Sequence, residues 1–293
     1  MLKYRLLSGF TMGGIILSSL LIEGLLPAII FSVLCLFAMA GGLKEFFKMT
    51  DKIGLKGFTK MSMFVGCMAI LSISLPKLFD FRADIPFFDL LMIIFIIFGF
   101  LRVFNEDDHQ TGLTKLFVSI AGLIYIGWTL SFIAQIYFIN GTEMLGRYLV
   151  LYLVAVTKFS DIGAFFTGTL SAKILPGGNH KIAPKLSPGK SWEGFIGGIV
   201  ASVCVALFLR DFLGDKLFID GKEFLTLPIA IITGTVFATL GFIGDVAESA
   251  LKRASGMKDS GSFIPGMGGV LDVVDSLTLV SPLFYCLLIT VQN

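Results

Sequence analysis

Phe87-Phe88-Asp89-Leu90-Leu91-Met92-Ile93-Ile94-Phe95-Ile96-Ile97-Phe98-Gly99-Phe100-Leu101 carries one charge, Asp89, before it meets Arg102. Extended to Pro86 and Phe104, the run approaches the roughly 20 mostly apolar residues that a helix needs to cross a bilayer. A helix is the expected form, because lipid offers no partner to free backbone N–H and C=O groups. Eight more segments read the same way: about 6–22, 25–43, 58–75, 114–139, 147–170, 194–213, 226–246 and 273–291. The chain is therefore expected to be all-α, a polytopic transmembrane helical bundle of about nine spans. Only Glu23, Gly24 and Pro27 interrupt the first two spans, which predicts a tight helical hairpin.

Composition points the same way. The 293 residues are 55% hydrophobic and 15% charged, with a mean hydropathy of +0.89, whereas a soluble domain carries about 25% charged residues. Such a chain has too little polar surface to face water, and its 30 Phe suit helices that face lipid tails. The net charge of +2 is too small to point to nucleic acid. Cys35, Cys67, Cys204 and Cys286 lie in apolar stretches without a CxxC pair and read as small buried hydrophobes. His109 and His180 are too few and too far apart to suggest zinc. Lys3 and Arg5 before an apolar run imitate a signal peptide, but no A-x-A-like cleavage site follows, so the segment reads as the first span.

Orientation follows from Lys and Arg. With the N-terminus in the cytosol, sixteen of the 23 fall on inside segments, including Lys44, Lys48, Lys52, Lys56 and Lys60. The outside loops hold Lys77, Arg82, Arg147, Arg210, Lys216 and Lys222, and Lys158 lies within a span. This predicts an integral protein of a bacterial-type cytoplasmic membrane. Its front, 1–145, holds about five spans. Its back, 146–293, carries two polar cytosolic segments, 171–193 and 247–272.

Three clusters in the back half hold the candidate chemistry, since ionisable residues at membrane depth are costly and default to function. Lys158 and Asp161 stand at i, i+3 on one helix face, an arrangement that also suits a self-neutralising ion pair. Lys185-Leu186-Ser187-Pro188-Gly189-Lys190-Ser191-Trp192-Glu193-Gly194 leads into the seventh span. Pro188 and Gly189 predict a turn, Ser191 a helix cap, and the whole an anion site suited to phosphates; it is not a Walker A loop. The third cluster joins Gly244-Asp245, Glu248, Lys252-Arg253 and Lys258-Asp259 to Pro265-Gly266-Met267-Gly268-Gly269 and Asp272-Val273-Val274-Asp275. Asp245 and Glu248 are at i, i+3, as are Asp272 and Asp275, which share one face at the start of the last span. Carboxylates crowded at a membrane edge repel unless a cation joins them, and Mg²⁺ takes such oxygen ligands together with substrate phosphates. Lys252, Arg253 and Lys258 supply the complementary field.

This third cluster resembles the phosphatidate cytidylyltransferase family. The family pattern runs Ser, a gap, Lys-Arg, four residues, Lys-Asp, then Pro-x-His-Gly-Gly, one or two apolar residues and Asp-Arg-x-Asp. Here it reads Ser249, Lys252-Arg253, Lys258-Asp259, Pro265, Met267-Gly268-Gly269 and Asp272-Val273-Val274-Asp275. Upstream, Asp161 to Gly168 and Ser187 to Gly194 also look like family segments, and the resemblance covers roughly 155–280. Met267 stands where the pattern has His, and Val273 where it has Arg; neither can donate a charged hydrogen bond to phosphate. Lys158 is expected to supply part of the charge missing at 273.

The resemblance implies that CTP and phosphatidate give CDP-diacylglycerol and diphosphate, for phospholipid biosynthesis, at the cytosolic membrane face. It implies catalytic roles for Asp245, Asp272, Asp275, Lys252 and Arg253. The three aspartates would hold Mg²⁺, with room for a second cation. Ser187, Lys190, Ser191, Glu193, Ser249, Lys258, Asp161 and Lys158 would bind substrate. The partners are CTP, phosphatidate and membrane lipid, and a homodimer is compatible with the chain. Two other classes stand beside this one. A polyprenol kinase would also use a nucleoside triphosphate, a metal and a lipid. A secondary transporter would use Lys158 and Asp161 as an ion relay, but the polar residues crowd one half instead of repeating in both. The CDP-alcohol phosphotransferases are disfavoured, because their D-x-x-D-G-x-x-A-R run is missing.

Overall fold

A computed structural model describes residues 2–80, 87–139, 144–219 and 222–292. Arg82 and the first residue of the predicted span 86–104 lie outside the described residues. The helices are α1 (Leu2–Leu21), α2 (Leu25–Lys52), α3 (Thr59–Leu78), α4 (Phe87–Phe104), α5 (His109–Gly122), α6 (Thr129–Tyr137), α7 (Leu145–Ile174), α8 (Trp192–Leu213), α9 (Leu227–Ala254) and α10 (Leu271–Gln292). A π-helical turn, Leu123–Trp128, joins α5 and α6 into one rod, His109–Tyr137. Among the described residues seven rods are long and apolar enough to cross a membrane. The two remaining expected spans, 6–22 and 86–104, fall on α1 and α4. The protein is a helical polytopic membrane protein. All four cysteines are free; Cys204 and Cys286 are exposed instead of buried, on membrane helices whose outer faces need no protein neighbour.

The chain folds as two compact units. The first holds Met1–Phe138 with Leu251–Val274, and the second holds Ile139–Ala250 with Asp275–Asn293. In the first, Gly24 takes φ 113°, a left-handed conformation open to glycine, and turns α1 into α2. The α2 helix does not stop at residue 43 but runs to Lys52. Beyond the apolar run it becomes amphipathic: Lys44, Lys48 and Lys52 face outward one turn apart, while Glu45, Phe46, Phe47 and Met49 are buried. The core centres on Leu43, Phe47, Ile70, Leu116, Leu123 and Ile126. Because lipid is as apolar as this core, close packing and satisfied polar groups hold the helices together. Several buried hydroxyls accordingly bond within their own helices, as Ser32 Oγ does to the Ala28 carbonyl and Ser74 Oγ to that of Ile70. Just past the π turn the Thr129 hydroxyl donates back to the Tyr125 carbonyl at 2.6 Å.

In the second unit α7 and α8 pack antiparallel along a seam of small residues. A Cβ on Gly194 would lie 2.9 Å from the Ala164 carbonyl oxygen, and one on Gly198 3.0 Å from that of Ser160, so the backbones touch where side chains are absent. Buried Tyr152 shares a 2.5 Å hydrogen bond with Thr233 and packs near Phe237 and Phe284. Between α7 and α8 the chain forms a small antiparallel hairpin, β1 (Lys181–Ala183) and β2 (Ser187–Ser191). The turn expected at Pro188 and Gly189 is instead at 184–186, and both residues sit within β2. The ladder shifts register between two pairs, Lys181 with Ser191 and Ala183 with Ser187, so β2 accommodates Pro188 at an irregularity.

Candidate active site

The second unit collects most of the predicted polar residues. The Ser191 hydroxyl accepts the Gly194 N–H at 3.1 Å and caps α8, as expected. Its strand neighbour Lys190 is thereby fixed next to α9. Lys190 Nζ lies 2.8 Å from Asp245 Oδ2, donates to the Phe242 carbonyl at 3.3 Å, and stands 4.4 Å from the centre of the Phe242 ring. A Cβ on Gly244 would be 2.5 Å from the Asp275 carbonyl oxygen, so glycine lets α9 and α10 meet backbone to backbone there. Asp245, Glu248 and Asp275 consequently converge: each offers an oxygen, and these oxygens all lie within 4.8 Å of one another. Glu248 and Asp275 are buried.

Next to this trio, Lys158 lies 3.5 Å from Asp161 and donates to the Ser276 hydroxyl at 2.7 Å. Ser276 Oγ stands 3.3 Å from Asp161 Oδ2. Lys158, Asp161, Asp245 and Asp275 are near enough to feel one another's charge. The donor set is all oxygen, which fits a hard cation such as Mg²⁺.

In the first unit Asp272 is fully engaged. Its Oδ1 takes the Lys252 ammonium at 2.7 Å. Its Oδ2 accepts the Gly269 N–H at 2.7 Å, the Ser260 N–H at 2.9 Å and the Ser260 hydroxyl at 2.8 Å. Gly268 (φ 98°) passes so close that a Cβ there would lie 2.5 Å from Oδ2. Arg253 and Lys258 are exposed, and Arg253 donates to the Met257 carbonyl at 3.4 Å. Met267 is exposed and Val273 half-buried.

Not every candidate joins these groups. Glu193 binds His180, ring nitrogen to carboxylate at 2.6 Å, and so clasps the base of the hairpin. Ser249 is buried on α9, and Ser187 opens β2 half-buried. Sequence reasoning did not single out Ser260, Ser276 or Glu45. Glu45 accepts the N–H groups of Val270 at 3.0 Å and Leu271 at 2.8 Å, and the Ser260 hydroxyl at 2.8 Å. Nor did it place Glu248 among the site residues, although its i, i+3 spacing from Asp245 carried the signal. A pocket of about 520 Å³ beside Glu45 is lined by Lys44, Lys48 and Ser262, with Phe37 and Phe263 as apolar walls.

Comparison with known proteins matches residues 3–291 to the model of the Cytidylyltransferase family. A phosphatidate cytidylyltransferase of Haemophilus influenzae is 41% identical over 141 residues, 47% of this chain and 45% of the relative. The chain thus spans about half the length of that relative. One from Staphylococcus haemolyticus is 33% identical over 76% of this chain and 77% of its own. One from Staphylococcus saprophyticus is 29% identical over 94% and 95%.

Proposed function

Because the chain belongs to the cytidylyltransferase family, we propose that it transfers the cytidylyl group of CTP to phosphatidate, giving CDP-diacylglycerol and diphosphate. The observation that carries this reading is the trio Asp245, Glu248 and Asp275 with Lys190 held against it. A phosphatidate oxygen attacks the α-phosphorus of CTP. A new P–O bond forms as the bond from that phosphorus to the bridging oxygen breaks, and diphosphate leaves. No general base is needed, because a phosphate monoester with a second pKa of about 6 is already ionised at pH 7. Two anions must meet, so the residues chiefly position and neutralise.

Lys190, with Ser187 and Ser191, meets the triphosphate, and Lys158 lends positive charge beside Asp161. Lys252, Arg253 and Lys258 face phosphate. Asp245, Glu248 and Asp275 would hold a Mg²⁺ ion, which would supply positive charge to offset that of the phosphates. With its oxygens taken by Lys252, Ser260 and Gly269, Asp272 serves in this reading to orient Lys252. The Lys and Arg bias supports placing the site at the cytosolic face.

The test is diphosphate release from CTP by the purified protein in micelles containing phosphatidate and Mg²⁺. Release that depends on phosphatidate and is lost in Asp245→Asn is expected. Release of CDP with a phosphorylated lipid would identify a kinase. No release from folded protein would overturn the proposal.

A further inference from the structure

Glu45 is a buried carboxylate held by two backbone N–H groups and one hydroxyl. It is 7% exposed on the inner face of α2. Burying a carboxylate is costly unless hydrogen bonds replace its water, and here three donors do so. Oε1 takes the Val270 N–H, while Oε2 takes the Leu271 N–H and the Ser260 hydroxyl. Leu271 is the first residue of α10. Glu45 thus caps in trans the helix that carries Asp272 and Asp275, where a negative charge also suits the helix dipole. The loop is shaped around it: a Cβ on Gly261 or on Gly269 would collide with the Glu45 carboxylate.

Ser260 extends the arrangement. Its hydroxyl stands 2.8 Å from Glu45 Oε2 and 2.8 Å from Asp272 Oδ2, with one proton between two carboxylates. The backbone N–H groups of Ser260 and Gly269 on Asp272 come from the same loop that closes over Glu45. We infer that Glu45 is a positioning residue that fixes the start of α10 and, through Ser260 and the 260–269 loop, holds Asp272 where it aims Lys252. This rests on the reading of Lys252 as a phosphate contact.

Two variants and two readouts test it. Glu45→Gln keeps the size but offers a single acceptor oxygen to three donors. Ser260→Ala removes the shared hydroxyl and leaves both backbone bonds to Glu45. In the wild-type background kcat is expected to fall about 10²-fold for Glu45→Gln, as a misplaced group costs. It should fall less for Ser260→Ala, with the KM for CTP nearly constant in both. The double variant should be little worse than Glu45→Gln alone, since the two act through one network. Hydrogen exchange of the 269–272 amides should quicken in Glu45→Gln and stay slow in Ser260→Ala.

Wild-type kcat in Glu45→Gln, or additive losses, would overturn the inference. If Glu45→Gln does not fold, Ser260→Ala decides alone, and wild-type kcat there overturns it. If the wild-type protein turns over no CTP, the proposed function fails and exchange alone judges Glu45: faster exchange in Glu45→Gln upholds the anchor, unchanged exchange removes it.

Discussion

Asp272 and Asp275 are one turn apart on α10, yet they live in opposite surroundings. Asp272 is saturated, with an ammonium on one oxygen and three donors on the other. Asp275 is buried with two further carboxylates, Asp245 and Glu248, whose charge no single lysine balances. The same residue type in the same repeat thus meets two settings. One carboxylate is saturated with donors, and the other is gathered with like charges. What separates them is the tertiary partner each meets, not the helix that carries both.

Substitutions can break this contrast, and the largest effect should come from the trio. Asp275→Asn or Asp245→Asn is expected to lower kcat about 10³-fold while the protein stays folded, the upper range for losing one preorganised electrostatic group. An equal loss of folded protein in a thermal melt would mean the trio is structural. Asp272→Asn should cost less activity, about 10²-fold, but more stability, about 3 kcal/mol, because the nearly buried Lys252 loses the Asp272 charge. Adding Lys252→Met to Asp272→Asn, which keeps an acceptor for the loop amides, should recover much of the melting temperature and not the activity. Recovery of activity would dissolve the contrast.

Lys190→Ala is expected to raise the KM for CTP about tenfold, by removing roughly 1.4 kcal/mol of charge-assisted contact. An unchanged KM would confine Lys190 to its bond with Asp245. Smallest of all, Lys158→Met should lower kcat a few-fold, about 1 kcal/mol. Unchanged activity would reduce Lys158 and Asp161 to a self-neutralising pair.

Much of this was legible in the sequence, for identifiable reasons. Long apolar runs mark membrane helices whatever their tertiary context, so each expected span coincides with a helix or rod. The limits of those runs were less legible. Lys44, Lys48 and Lys52 looked like a loop until their spacing was read as one outer helix face that buries Glu45 behind it. The spacing of Asp245 and Glu248, and of Asp272 and Asp275, marked the acidic cluster. It could not show which aspartate would meet Lys252, because i, i+3 places both on one face. Glu45 was invisible for a different reason: its partners are backbone N–H groups some 225 residues away, and amides leave no mark on composition. The small-residue seam of α7 and α8 and the turn at 184–186 also depend on what packs opposite.

The most direct measurement is a Mn²⁺ titration followed by electron paramagnetic resonance, with Mn²⁺ standing in for Mg²⁺. Wild-type protein, Asp275→Asn and Asp272→Asn would be compared without substrate. The account predicts a bound ion in the wild type, its loss in Asp275→Asn, and its retention in Asp272→Asn. Binding lost in Asp272→Asn and kept in Asp275→Asn would contradict it and move the cation to the other aspartate.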